Sequence, residues 1–157
     1  MADRKAAEWG GGGACYPEPA NVANRLPGMA TASCPFCAPA EGRIVRAFDA
    51  VLVLRDGFPI SPGHTLIVPR RHVGSFFTLS PDEQAAMLEA LNWARKELAR
   101  LHRPDAVNIG LNDGPAAGQT VPHCHMHLIP RYAGDVADPR GGVRWIIPAK
   151  AKYWSDP

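Results

Sequence analysis

The run HCHMHLIPR, His123 to Arg131, sets the strongest condition on what this chain can fold into. Histidines alternate there with Cys124, Met126 and Leu128, and strict polar and apolar alternation is the period of a β-strand. Such a strand turns His123, His125 and His127 to one face and the apolar residues to the other. One face must meet a hydrophobic core; the other carries imidazoles. At a rise of about 3.3 Å per residue, successive histidines stand roughly 6.6 Å apart along the backbone and the outer two roughly 13 Å apart. Metal to nitrogen bonds are only about 2 Å long, so the three do not converge on one ion. A pair of them can still share zinc with a ligand from another strand, and a wet polar strand is the plainer alternative.

The preceding residues read as strand and turn grammar with one interruption. Arg43 to Asp49 and Ala50 to Asp56 look like two short strands, and the turn-rich FPISPGH leads into the apolar run TLIVP. The interruption is a helix. Ser80 is placed to cap it, Pro81 suits the first helical position, and Glu83 completes a capping box. Met87, Leu88, Leu91, Ala94, Leu98 and Leu101 then recur at helical spacing as one core face, and Pro104 ends the helix before it. AVNIGLN reads as a further strand and DGPAAGQT as a glycine-rich loop returning into the histidine strand. The ending from Tyr132 has too many Pro and Gly residues for a regular element, but Trp145, Ile146, Ile147, Tyr153 and Trp154 are too apolar for free solvent, so it is expected to pack over a partner or a site.

Residues 1 to 32 are rich in Gly, Pro, Ala and Asn and read as a flexible extension, with Met29 a candidate alternative start; residues 33–157 then form one domain. A net charge of +2 is too small to imply nucleic-acid or membrane binding, so an anionic ligand needs a local site. No long apolar run or signal-like core occurs, which points to the cytoplasm. A reducing compartment argues against a structural disulfide between Cys34 and Cys37 and leaves that pair a metal or redox role.

In the loop before the histidines, Asn112 and Asp113 precede Gly114, while Gly118, Gln119 and Thr120 lead into the strand. Glycines let backbone approach a ligand, and amides can face anionic oxygens. The segment lacks the lysine and spacing of a P-loop. A phosphate held beside neutral imidazoles suits nucleophilic attack at phosphorus, because imidazole nitrogen is nucleophilic near neutral pH and its phosphoramidate is open to water.

NDGPAAGQTVPHCHMHLIP resembles the signature of the histidine triad (HIT) family, and DGPxAGQTVxHxHxHxxPR is closest to the fragile histidine triad branch, whose members hydrolyse diadenosine polyphosphates, and to its bacterial relatives. The likeness extends upstream through SPGHTLIVPRRH. It implies an α+β fold: a five-stranded antiparallel sheet with one long helix and a short one, dimerising. It also implies a nucleotidyl hydrolase or transferase acting on a purine nucleotide or dinucleotide, such as diadenosine tetraphosphate, or on a nucleoside phosphoramidate. By resemblance His125 is the nucleophile, His127 a donor to phosphate oxygen and His123 a support behind them. Asn112, Gln119 and Thr120 match phosphate-contacting positions, and Asp56 matches a ribose-contacting one, against a plain turn role before Gly57. His64 is either a hydrogen-bonder on the substrate side or a packed core histidine.

CPFC raises a separate question, since two cysteines do not complete a closed zinc site. Zinc-binding relatives imply that Cys34, Cys37, His72 and His123 hold a structural Zn²⁺ together. A pair of small buried thiols is the bland alternative. Two other functions also fit the residues: a nucleotide-binding module without turnover, and a hydrolase whose histidines hold a catalytic zinc.

Overall fold

The computed structural model describes residues 34–155, so the expected extension over residues 1–32 lies outside the described residues. Five strands form one antiparallel sheet: β1 (Ile44–Ala47), β2 (Val51–Arg55), β3 (Thr65–Pro69), β4 (Ala106–Leu111) and β5 (Met126–Arg131). Their order across the sheet is β1-β2-β3-β5-β4. The helix α1 (Pro81–Leu101) lies between β3 and β4 in sequence, and the remaining helical pieces are short 3-10 turns.

The unbroken apolar runs of β2 and β3 are explained by burial on both faces. Val51, Val53 and Ile67 pack with Met87, Ala90, Ala94 and Leu98 of α1. Leu52, Leu54, Leu66 and Val68 face the other way, onto Cys34 and Phe36. The segment carrying CPFC is therefore a lid on the second face of the sheet. Cys124, just ahead of β5, and Met126 and Leu128 on it join the helix side.

The capping box of α1 is formed. The Glu83 N–H donates to the Ser80 hydroxyl at 3.2 Å, and the Ser80 N–H donates to the Glu83 carboxylate at 2.8 Å. The apolar stripe is narrower than its spacing suggests: Leu88 and Leu101 are exposed and Ala90 is buried instead. Leu88 lies about 100° around the helix from Met87, off the sheet-facing stripe, and Leu101 sits in the last turn. Replacing Ser80 with Ala should cost about 1 kcal/mol. Thermal unfolding should then move down by about 4 °C with nucleotide affinity unchanged, and a shift within error would remove the capping box from the stability argument.

Strand β5 is shorter than the alternating pattern predicts, because ladder pairing starts at Met126 opposite Leu111 and Ile67. Ahead of it, the Cys124 N–H donates to the Val73 carbonyl and the His123 N–H to the Val121 carbonyl. Backbone bonds to a neighbouring loop thus replace the ladder, and His123 and His125 stand at the mouth of the strand. Pro130 is tolerated inside β5 because the β3 ladder has already ended at Leu128.

After β5 the chain makes 3-10 turns at Gly142–Ile146 and Pro148–Lys150. Trp145, Ile146, Ile147 and Tyr153 remain exposed, so within the chain they cover no site, and of the two expected covers a partner is the one left. Pro148 and the positive-φ glycines 141 and 142 keep this ending folded on itself, with the Arg140 guanidinium over the Trp154 ring and Arg144 over Tyr153. Gly142 lies against the Asn108 side chain of β4.

Candidate active site

Among the described residues, the buried polar side chains are His64, Thr65, His123 and His125. They gather where β3 and β5 lie side by side, flanked by the CPFC segment and the end of β2. Burying three imidazoles in one place is costly unless each finds a partner, and each does.

His123 has no solvent exposure and is bonded at both ring nitrogens. Its Nε2–H donates to the Pro69 carbonyl at 2.8 Å, which can only accept, so its Nδ1 is left as a lone pair. That Nδ1 lies 3.4 Å from Cys34 Sγ and 3.6 Å from Cys37 Sγ, and His72 Nδ1 lies 3.1 Å from Cys37 Sγ. The ligand atoms of Cys34, Cys37, His72 and His123 all fall within 4.8 Å of one another. A tetrahedral zinc with bonds of about 2.3 Å to sulfur and about 2.05 Å to nitrogen sets its sulfur to nitrogen edges at about 3.6 Å. Two thiols, two imidazoles and a backbone carbonyl steering one ring make a donor set that fits that ion. Cys34, Cys37 and Cys124 are free thiols, and Cys124 lies apart on the helix side. Burial pushes the Cys124 thiol up to about 11, with Asp113 adding to the effect, as expected of a packed, unreactive sulfur.

His125 is held differently. Its Nδ1 is 2.8 Å from the His123 carbonyl and must donate to it. The neutral ring then carries its free lone pair on Nε2. Phe36, between the two cysteines of CPFC, sets its ring 5.0 Å from the His125 ring and 5.8 Å from that of His123. No site role was read for Phe36 from the sequence, although its place between two metal-ligand candidates was the available signal.

The His127 ring is 5.1 Å from the His125 ring. Its Nδ1 is 3.0 Å from His64 Nε2 and 3.8 Å from the Asp56 carboxylate, which is also 3.5 Å from His64 Nε2. The other Asp56 oxygen accepts the Phe58 N–H at 2.7 Å. Asp56 is thus a turn residue and a neighbour of the histidines at once.

The glycine-rich loop is tied down internally. Gly114 and Gly118 both have φ of +90° and bracket a 3-10 turn over Pro115–Ala117. The amides of Ala117, Gly118 and Gln119 bond back to carbonyls within the loop, so they are not aimed at an anion as the sequence suggested. Gln119 accepts the Gly114 N–H at 2.9 Å and donates to the Gly74 carbonyl at 2.7 Å. Asn112 lies beside Gly118, and Thr120 is exposed at the exit of the loop. Asp113, read only as part of a turn, anchors the loop by accepting from Ser75 Oγ and from the Phe76 N–H, both at 2.9 Å.

Burial lowers the affinity of His64 and His127 for protons, with the neighbouring histidines adding to the effect at His127 and Asp56 opposing it at both. Both therefore titrate below the ordinary histidine value of 6.5 in the folded chain. As pH falls through that value, the unfolded chain takes up protons that the folded chain does not, and stability is lost down to the folded values. The urea midpoint should fall between pH 7.5 and pH 5.5, and His127→Asn should make the fall shallower. A midpoint flat across that window contradicts the burial argument.

Residues 39–134 match the family described as the HIT domain. The chain belongs to the HIT domain family. An uncharacterised HIT-like protein of Saccharolobus solfataricus is 38% identical over 106 residues, covering 65% of this chain and 76% of that one. The asymmetrical bis(5'-nucleosyl)-tetraphosphatase of Schizosaccharomyces pombe is 39% identical over 80 residues, covering 51% of this chain and 44% of that enzyme. A Zn-bound histidine triad family protein from Mycobacterium smegmatis superimposes with a TM-score of 0.60 at 31% identity, covering 81% of this chain and 85% of that one. The five-stranded antiparallel sheet with one main helix is thus the HIT fold. Among the described residues no helix is long and apolar enough to cross a membrane.

Proposed function

We propose that this HIT domain is a nucleotidyl hydrolase that cleaves at the α-phosphorus of dinucleoside polyphosphates, with diadenosine tetraphosphate as the substrate to try first and nucleoside phosphoramidates as the related class. The observation that carries the reading is the tautomer of His125: its Nδ1–H is committed to the His123 carbonyl, which leaves the Nε2 lone pair free to attack. In the first step the N–P bond forms, the P–O bond to the leaving polyphosphate breaks, and that oxygen keeps the electron pair. Water then forms a new P–O bond and releases one proton to solvent, the N–P bond breaks, and the lone pair returns to Nε2. His127 serves as the donor to phosphate oxygen, with Asn112, Gln119 and Thr120 on the phosphate side. Both polar atoms of the Gln119 amide retain capacity for one more bond beyond those to Gly114 and Gly74. Asp56 is assigned to the ribose hydroxyls.

Cys34, Cys37, His72 and His123 hold the metal in this reading, with zinc favoured by the donor set, and the ion supplies a structural cross-link. His123 then does two things: its ring joins CPFC to the sheet, and its carbonyl orients the nucleophile. A zinc held by Asp56, His64 and His127 is disfavoured by the Ile60 N–H, which points at His64 Nδ1 from 3.4 Å. A ring bound to metal through Nε2 carries its proton on Nδ1, and two N–H groups would then face each other.

We also infer a cytoplasmic homodimer, supported by the open β4 edge with Ile109 exposed on it and by the exposed Val143, Ile146 and Ile147 in the segment that packs beside it. Turnover is tested by incubating the protein with diadenosine tetraphosphate and separating the products. Release of AMP supports the hydrolase, whereas a nucleotide that binds and stays intact favours a binding module.

A further inference from the structure

We propose that Arg43 is a specificity-determining residue: its flat guanidinium, seated on Gly57 beside Asp56, is the platform on which the base of the bound nucleotide stacks. The proposal rests on the nucleotidyl reading for the ligand and on the seating of Arg43 for the chemistry.

The seat is made by a missing side chain. Arg43 closes the 3-10 turn Glu41–Arg43 ahead of β1, and its Nε–H donates to the Arg55 carbonyl at the end of β2, at 3.1 Å. A Cβ on Gly57 would stand 3.3 Å from Arg43 Cζ and 3.5 Å from both Nη1 and Nη2. An edge-on guanidinium would bring a nitrogen nearest; with the carbon nearest and the two nitrogens equidistant, the plane lies face-on to Gly57. Any side chain at Gly57 would crowd it.

The charge of this half-buried guanidinium is uncommitted. Arg71, Arg100 and Arg131 are each held by a carboxylate, and Arg46, Arg140 and Arg144 each lie on an aromatic ring. Among the described residues Arg43 has neither, and its one hydrogen bond uses Nε alone. Asp56, one residue before Gly57, does not neutralise it, because its oxygens accept the Phe58 N–H and lie against His64 Nε2.

What meets the plane follows from the order of parts in a nucleotide. Phosphate is assigned to His125 and His127 and ribose to Asp56, whose carboxylate is 3.8 Å from His127 Nδ1. The base leaves the ribose on the side away from the phosphate, and the residue after Asp56 is Gly57. A further phosphate is the poorer match, since it would share that space with the Asp56 carboxylate. A planar cation stacks on a π face, whereas an ammonium offers charge without a plane.

Calorimetric titration of the metal-loaded protein with AMP, UMP and ribose 5-phosphate tests this. The wild type is expected to bind AMP more tightly than UMP, and UMP more tightly than ribose 5-phosphate. Arg43→Ala should weaken AMP about tenfold and leave ribose 5-phosphate unchanged. Arg43→Lys should weaken AMP nearly as much, because it keeps the charge and loses the plane. Gly57→Val, which fills the seat, should weaken AMP on its own and add nothing in an Arg43→Ala background. Unchanged AMP affinity in Arg43→Ala, full recovery in Arg43→Lys, or an equal loss for ribose 5-phosphate overturns the proposal and leaves the nucleotidyl reading standing. A wild type that binds none of the three ligands contradicts that reading and this proposal with it.

Discussion

His125→Asn is expected to abolish turnover of diadenosine tetraphosphate while leaving nucleotide binding within a fewfold of wild type. Asn can keep an amide donor toward the His123 carbonyl, but it has no nitrogen lone pair able to attack phosphorus. Loss of a nucleophile that acts together with its neighbours costs on the order of 10⁴-fold or more in kcat. Binding is spared because the phosphate and ribose contacts assigned to Asn112, Thr120 and Asp56 do not depend on that ring. Rapid-quench kinetics with titration of a non-hydrolysable dinucleotide separates the two effects. A variant retaining a tenth of wild-type kcat would remove His125 from the chemistry, and one that loses binding and turnover together would show a structural role.

The second large effect is expected on removing the metal. Chelation, or Cys34→Ser, should lower the thermal midpoint by on the order of 10 °C, which corresponds to about 3 kcal/mol for a domain of this size. The cause is local and traceable. Cys34 and Phe36 cap the second face of the sheet over Leu52, Leu54, Leu66 and Val68, and a metal shared with His72 and His123 would fasten that cap. The cap also carries Phe36 onto the His125 ring, so activity should fall with the loss of the fold and recover on adding Zn²⁺ back. Calorimetry of the metal-loaded and metal-stripped protein checks this. Loss of activity at unchanged stability would instead place the metal at the reacting centre.

How much of this was legible in the sequence depended on whether the signal was local. The capping box over Ser80 to Glu83 was, because its two bonds span three residues. The alternation from Cys124 to Leu128 was also local, and it separates the helix side of β5 from the histidine side. What the pattern did not show is that the ladder begins only at Met126, where β4 ends at Leu111 although β3 runs on past Ile67 to Pro69. The grouping of CPFC with His72 and His123 was expected only by family resemblance; the spacing of two cysteines does not name ligands 35 and 86 residues away. Phe36 escaped notice because its contacts to the histidine rings are made in three dimensions. The internal bonding of the glycine-rich loop was hidden for the same reason. Glycine content announces permissive backbone, while the direction of each amide is decided by turns such as Pro115–Ala117.

The covalent role of His125 is the central claim, and trapping the intermediate tests it most directly. Protein mixed with diadenosine tetraphosphate is quenched in acid-free denaturant within milliseconds, digested, and read by mass spectrometry for an adenylyl group on the peptide carrying His123 to Arg131. The nucleotidyl mechanism predicts a single adduct, on His125, that vanishes in His125→Asn. An adduct on His123 or His127, or active turnover with no adduct at any quench time, would contradict it.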